Sequence, residues 1–206
     1  MKPLAGNKTG NMEKLPFLQN YKIVLASNSP RRKELLGGLN IDFEVRIIPD
    51  IDESYPLDLP IREIAEYIAT KKSKAYIPTL KENELLITAD TIVSCTGKLL
   101  GKPSGYEDAV NMLHELSGRV HEVITGVCVY SKQKSTCFST TSEVCFANLT
   151  DEEIRFYVEQ YQPYDKAGAY GIQEWIGYVA VESIKGSFYN VMGLPIQRLY
   201  QELKQF

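Results

Sequence analysis

Apolar positions fall into a regular rhythm only from Tyr21 onward, and from there strand-like and helix-like stretches alternate. Lys22-Ile-Val-Leu-Ala-Ser27 is an almost unbroken apolar run, the mark of a strand buried on both faces. Residues 29–39 switch to helical spacing, with Leu35, Leu36 and Leu39 on one side and Gly37-Gly38 weakening the end. Alternation over 42–48 predicts a second strand. Residues 60–76 predict a strongly amphipathic helix whose stripe runs through Ile61, Ile64, Ala65 and Ile68. An apolar strand follows over 85–95. A turn at Cys95-Thr-Gly-Lys98 leads into Leu99 and Leu100, and 106–116 predicts another helix. Two long strands, 119–130 and 136–148, flank the polar turn Ser131-Lys-Gln-Lys134 and predict a hairpin. Thr150-Asp-Glu-Glu153 is a capping box opening a helix to 160. Residues 176–184 predict a strand. Residues 195–203 predict a closing helix with Ile196, Leu199, Tyr200 and Leu203 inward. The hairpin makes the expected α/β sheet mixed rather than wholly parallel.

Composition adds limits. The 206 residues are 44% hydrophobic and 24% charged, values of a soluble globular protein that exclude disordered, collagen-like and coiled-coil classes. This length suits a single domain over 21–206, with 1–20 a flexible N-terminal extension. Lys and Arg total 23 against 26 Asp and Glu, so the net charge of −3 supplies no basic field for nucleic acid or a membrane surface. No apolar run is long enough to span a bilayer, and the first residues lack the apolar core of a secretory signal, which makes the cytoplasm the expected location. The four cysteines form no C-x-x-C pair and lie in apolar, strand-like stretches, so they are expected as small buried hydrophobes in a reducing compartment. The two histidines, His114 and His121, are expected at or near the surface, and a thiolate or histidine zinc site is excluded.

Chemistry concentrates in a few stretches. Leu25-Ala-Ser-Asn-Ser-Pro-Arg-Arg-Lys-Glu-Leu-Leu36 is a strand, a turn and a helix, with Ser29 at the N-cap and Pro30 at the first helical position. Arg31 and Arg32 sit at the positive end of the helix dipole, where they repel it unless an anion arrives. Two solvated surface arginines would read the same way; cap, hydroxyls and paired guanidiniums together favour an oligophosphate site. Asp90 interrupts the apolar run Leu85-Leu-Ile-Thr-Ala-Asp-Thr-Ile-Val93. A carboxylate there is costly unless bonded, so Asp90 is a turn cap, a metal ligand or a general base at a strand's carboxyl end. Lys72 continues the inward stripe of its helix and either snorkels or offers its ammonium to a phosphate, whereas Lys71 and Lys74 fall on solvated faces. Gly101-Lys-Pro103 supplies a point charge, Lys102, on a stiff loop. In Asp165-Lys-Ala-Gly-Ala-Tyr-Gly-Ile-Gln173, small residues allow close approach of a ligand, and Gln173 offers a donor and an acceptor to a base edge; tight helix packing would need the same small residues. Trp175, just beyond, walls that pocket or packs in the core. Glu53 is one of three carboxylates in a polar loop, and pattern does not separate it from Asp50 and Asp52.

These segments together resemble the Maf family of nucleoside triphosphate pyrophosphatases, from about Lys22 to the end of the chain. The specific features are Ser-Asn-Ser-Pro-Arg-Arg-Lys-Glu-Leu-Leu at 27–36, then in order Ala-Asp-Thr at 89–91, Gly-Lys-Pro at 101–103, Thr-Gly-Val at 125–127 and Lys-Ala-Gly-Ala-Tyr-Gly-Ile-Gln at 166–173. Gly186-Ser-Phe-Tyr-Asn-Val-Met-Gly-Leu-Pro195 resembles the family's ending. The resemblance implies an elongated mixed sheet flanked by helices, like that of inosine-triphosphate pyrophosphatases, with a cleft between two lobes. It implies hydrolysis of a nucleoside triphosphate between the α and β phosphates, a divalent metal (Mg²⁺ or Mn²⁺) and a homodimer. It carries the catalytic carboxylate onto Asp90, phosphate-binding cations onto Arg32, Lys72 and Lys102, and a supporting metal ligand onto Glu53. Positions that sort substrates fall on Arg31, Thr91 and Gln173, in the form of the branch acting on dTTP and UTP. Two residues depart from the usual pattern: Ser73 stands where alanine is usual, and Glu174 where glycine often follows the glutamine. A nucleotide-binding regulator of cell division with little catalysis is the alternative.

Overall fold

The computed structural model describes residues 15–206. Its framework is a seven-stranded mixed sheet. The first strand, β1 (Lys22–Leu25), pairs in parallel with β2 (Phe43–Val45) on one side and with β3 (Glu84–Cys95) on the other. Helix α1 (Pro30–Gly37) connects β1 to β2, and α2 (Ile61–Tyr76) precedes β3. Beyond β3 the pairing turns antiparallel. Strand β3 pairs with short β4 (Lys98–Leu100) and with β5 (Val120–Tyr130); β5 pairs with β6 (Ser135–Phe146) in the predicted hairpin. Helix α3 (Tyr106–Leu116) joins β4 to β5, and α4 (Asp151–Tyr161) follows β6 behind its capping box, which Thr150 and Glu153 close. The chain ends with α5 (Trp175–Val179), β7 (Val181–Lys185) against β6, α6 (Phe188–Met192) and α7 (Ile196–Leu203).

Alternation along β3 divides the core. Leu85, Ile87, Ala89 and Val93 point into the main cluster, which also buries Leu36, Leu113, Tyr157 and Leu199 from the surrounding helices. On the opposite face, Ile92 and Ile124 meet Ile64, Ala65 and Ile68 of α2, while Leu86 packs on Val24 and Tyr76. Burying each such aliphatic side chain contributes about 2 kcal/mol. The helix sits unusually close to the sheet because Gly126 of β5 lacks a side chain: a Cβ there would lie 2.3 Å from the backbone of Ala65 and Glu66. Gly126 is also the register partner of Asp90.

An ion pair closes the far end of β1 and β3. Arg46 donates from Nη1 and Nη2 to the two oxygens of Glu84 at 3.0 and 2.8 Å, and from Nε to Glu44 at 3.0 Å. The Lys81 N–H donates to the same Glu84 carboxylate at 3.0 Å. With these donors, led by Arg46, the buried Glu84 carboxyl titrates well below the ordinary carboxylate range, at about 2.

Five expectations need correction. Residues 15–20, counted with the flexible extension, pack on the core: Pro16–Leu18 is a 3₁₀ turn, Leu18 is 3% exposed and Phe17 meets the Tyr200 ring edge-on. Residues 1–14 lie outside the described ones. The strand expected over 176–184 is split, because Trp175–Val179 is a helical turn and pairing with β6 begins at Val181. His121 is fully buried between Phe146 and Tyr170, with Nε2 at 2.8 Å from the Tyr170 hydroxyl; burial lowers its pKa to about 4. The hairpin register sets Cys128 opposite Cys137, Cα to Cα 4.2 Å, and the two form a disulfide instead of separate buried thiols; Cys95 and Cys145 are free. Lys71, expected in solvent, donates to Asp52 at 2.6 Å and to the Ser54 carbonyl at 2.9 Å, and so ties down the 52–54 loop. No helix among the described residues is long and apolar enough to cross a membrane.

Candidate active site

Parallel pairing of β1 with β3 stops at Leu25 and Ile87, because the chain leaves β1 through Ser27 and Ser29 into α1. Beyond that point β3 continues with one edge unpaired by β1. Along β3 only Asp90 and Thr91 are not fully buried. Asp90 is therefore mid-strand rather than at a strand's end, yet it lies just past the carboxyl end of β1, where open α/β sheets form their crevices. A cleft of about 680 Å³ opens there. Ser29, Arg31, Arg32, Glu53, Lys72, Asp90, Thr91, Lys102 and Gln173 all line it.

Successive residues of a strand point to opposite faces, so Asp90 and Thr91 serve opposite walls. On the α2 side, Lys72 Nζ donates to Asp90 Oδ1 at 2.7 Å and lies 2.9 Å from Glu53 Oε1. Lys72 and Asp90 are each 14% exposed, and Glu53 is 51% exposed. The inward stripe of α2 thus ends in a half-hidden ammonium that gathers two carboxylates from separate segments. Of the three carboxylates of this loop, Lys71 takes Asp52, Asp50 and Glu53 line the cleft, and Glu53 is the one that pairs with Lys72.

On the other wall Arg32 is held by oxygens: Nε donates to the Gly193 carbonyl at 2.9 Å, Nη1 to the Ala89 carbonyl at 2.8 Å and Nη2 to Thr91 Oγ1 at 3.1 Å. Burial pulls its pKa below the ordinary value, against the attraction of Asp90. Both terminal nitrogens keep one further N–H for a ligand. Arg31 Nε donates to the Met192 carbonyl at 3.2 Å, and its Nη1 lies 3.5 Å from Asp165. These carbonyls are fixed by Asn190, which is fully buried and donates to Val123 O and Ser142 Oγ, both at 3.0 Å. A hydroxyl relay braces this same wall, Thr91 to Thr125 at 3.0 Å and Thr125 to the Asn190 carbonyl at 3.0 Å. The Ser29 cap accepts from the Arg32 N–H at 3.4 Å. Lys102 is exposed and has no ion-pair or hydrogen-bond partner among the described residues; the Gly168 N–H holds its loop through the Gly101 carbonyl at 3.0 Å.

At the far end lies the 165–174 segment. Gln173 lines the cleft, and its Oε1 is buried without a partner among the described residues. Lys166, not singled out in the sequence, also lines the cleft; only 9% exposed, it lies 2.8 Å from Asp165 and 3.2 Å from Glu174. Its signal was the Asp-Lys pair opening a run of small residues. Trp175 packs edge-on against Phe156 instead of walling the cleft.

No cluster of three or more metal-ligating side chains exists among the described residues. Asp90 and Glu53 nonetheless present two hard oxygen donors at the cleft, both turned to the Lys72 ammonium. That set suits a divalent cation completing its shell from phosphate and water, as magnesium usually does.

The chain is similar to several known proteins. A Parabacteroides distasonis protein named a dTTP/UTP pyrophosphatase is 64% identical over 93% of this chain and 100% of its own. One of the same name from Bacteroides thetaiotaomicron is 60% identical over 91% and 97%. A HAM1 protein of known structure from Coxiella burnetii aligns at 17% identity over 90% of this chain and 100% of that one, with a TM-score of 0.48. The family model described as Maf-like protein matches residues 22–206, and the chain belongs to the Maf family.

Proposed function

We propose that the cleft hydrolyses dTTP and UTP between the α and β phosphates, giving the monophosphate and pyrophosphate. The observation that carries this reading is that Arg31, Arg32, Lys72 and Lys102 line one crevice together with Asp90, whose carboxylate Lys72 bonds at 2.7 Å. A triphosphate is a dense polyanion, and preorganised cations both hold it and stabilise charge as pyrophosphate leaves. Lys102, without a partner among the described residues, and the spare N–H groups of Arg32 bind the phosphate chain. Arg31, held only loosely by Asp165, exchanges that carboxylate for phosphate. Lys72 fixes Asp90 through Oδ1, which leaves Oδ2 to orient the attacking water and accept its proton. Water adds at phosphorus, the bridging P–O bond breaks and pyrophosphate departs with the bonding electrons.

Asp90 and Glu53 would hold a divalent cation such as Mg²⁺ or Mn²⁺, which supplies further charge neutralisation on the triphosphate when bound. At the other end, Gln173 carries the base reading. Its unpartnered Oε1 accepts the imide N–H that thymine and uracil share, whereas cytosine presents a lone pair at that position. Thymine and uracil differ only by a methyl group away from that edge, so one pocket takes both. The names of the relatives support the same substrates. A homodimer working in the cytoplasm belongs to this reading through the family likeness, and sedimentation of the purified chain tests the dimer.

The test is purified protein with dTTP or UTP and Mg²⁺. Equimolar monophosphate and pyrophosphate is the expected result. Orthophosphate as first product contradicts the cleavage position, and tight nucleotide binding without turnover under any divalent metal favours a regulator instead.

A further inference from the structure

The 165–174 segment carries a chain of alternating charge that the reaction itself does not use. Arg31 meets Asp165, Asp165 meets Lys166, and Lys166 meets Glu174 at 3.5, 2.8 and 3.2 Å. The second oxygen of Glu174 accepts from the Tyr157 hydroxyl, and that hydroxyl in turn accepts from the Gly171 N–H at 3.0 Å. The Glu174 N–H closes the turn by donating to the Gly171 carbonyl at 2.9 Å. Tyr157 is fully buried on α4, so the turn is anchored to a rigid helix rather than to solvent. The fit is tight: a Cβ on Gly171 would come within 2.8 Å of the Glu174 carboxyl carbon. Gln173 lies inside this turn, between Gly171, whose N–H donates to the Tyr157 hydroxyl, and Glu174, whose carboxylate accepts from that same hydroxyl.

Resting on the nucleotide reading of the cleft, we infer that Glu174, acting through Lys166 and Tyr157, is a positioning residue that holds Gln173 for nucleobase selection. The carboxylate does not crowd the base, because it turns back under the loop to the ammonium and the phenol. A selectivity built this way depends on a pre-set amide; a loosened loop lets the glutamine rotate its amide and accept a cytosine edge as readily as an imide.

The experiment measures binding of α,β-methylene-UTP and of its cytidine counterpart by calorimetry, for the wild-type chain, Glu174→Gln, Lys166→Met and the double variant, with thermal melts alongside. The expected result is a preference for the uridine analogue that falls at least fivefold in each single variant. The double variant falls no further than the worse single one, because both act through one pair. If Glu174→Gln does not fold, Glu174→Asp, which keeps the charge and shortens the reach, is read in its place. A preference unchanged within twofold overturns the inference even where the melting temperature drops. A change in only one of the two single variants, or a wild-type chain that binds both analogues equally, overturns it as well. Turnover of UTP by the wild-type chain is recorded separately: turnover with unaltered preference in the variants removes this inference alone, and binding without turnover removes the hydrolytic reading alone.

Discussion

Strand β3 carries two carboxylate–cation pairs that are wired in opposite ways. At its start, Glu84 is 2% exposed and both of its oxygens are taken, by two nitrogens of Arg46 and a backbone N–H. Midway, Asp90 is 14% exposed, and only Oδ1 is bonded, to a Lys72 that it shares with the half-exposed Glu53. The first pair is bidentate, saturated and closed, so it has no valence left for a ligand. The second is monodentate and opens on a cleft lined by four further cations, Arg31, Arg32, Lys102 and Lys166. Both pairs join a carboxylate to a cation, a guanidinium fork in the first and an ammonium in the second; the number of unmet bonds separates a structural ion pair from a binding site.

That contrast can be broken from either side. Lys72→Met removes the shared ammonium and leaves two carboxylates facing each other; turnover of dTTP is expected to fall about 1000-fold, in the range seen for preorganised electrostatic groups. Steady-state release of pyrophosphate reads it, and a fall below tenfold would remove Lys72 from the site. Glu84→Gln attacks the closed pair. Breaking a buried pair on one side costs about 3 kcal/mol, a melting temperature roughly 8 °C lower for a chain of this size, while turnover per folded molecule stays unchanged. Lost turnover without lost stability would reverse the assignment.

The buried His121 sharpens the closed side. Its native pKa of about 4 lies below the ordinary value of about 6.5, so the unfolded chain binds the extra proton first. Its contribution is complete above pH 6.5 and is lost as the pH falls toward 4, about 2 kcal/mol between pH 7 and 4.5. Urea unfolding at the two pH values should show a shallower loss in His121→Gln than in the wild-type chain. The smallest effect is expected at the open end: Lys102→Ala, which breaks no internal bond, should raise the KM for UTP about tenfold and leave the melting temperature unmoved.

Much of this was legible in the sequence where periodicity is long. Helix α2 and the β5–β6 hairpin have one repeating pattern each, and their predicted bounds fall close to the observed Ile61–Tyr76, Val120–Tyr130 and Ser135–Phe146. The stretch after Glu174 was misread because a five-residue helical turn and a five-residue strand are both too short to show a period. Asp90, Lys72 and Arg32 stand out in the sequence because each interrupts a local preference, but their meeting in one cleft was implied only by the family resemblance. Lys166 and Glu174 interrupt nothing. They meet across a turn, and only the folded turn shows that one neutralises the other. The cysteine pair failed for a related reason: Cys128 and Cys137 are opposed by hairpin register, which residue spacing alone does not fix.

The central claim is that Asp90 acts on the water while the cations around it hold the nucleotide. The direct measurement is Asp90→Asn, with dTTP turnover followed by pyrophosphate release and nucleotide affinity followed by calorimetry in the same preparation. The account predicts turnover lower by about 1000-fold or more with affinity within a few-fold of the wild-type chain. Turnover that survives the substitution would contradict it.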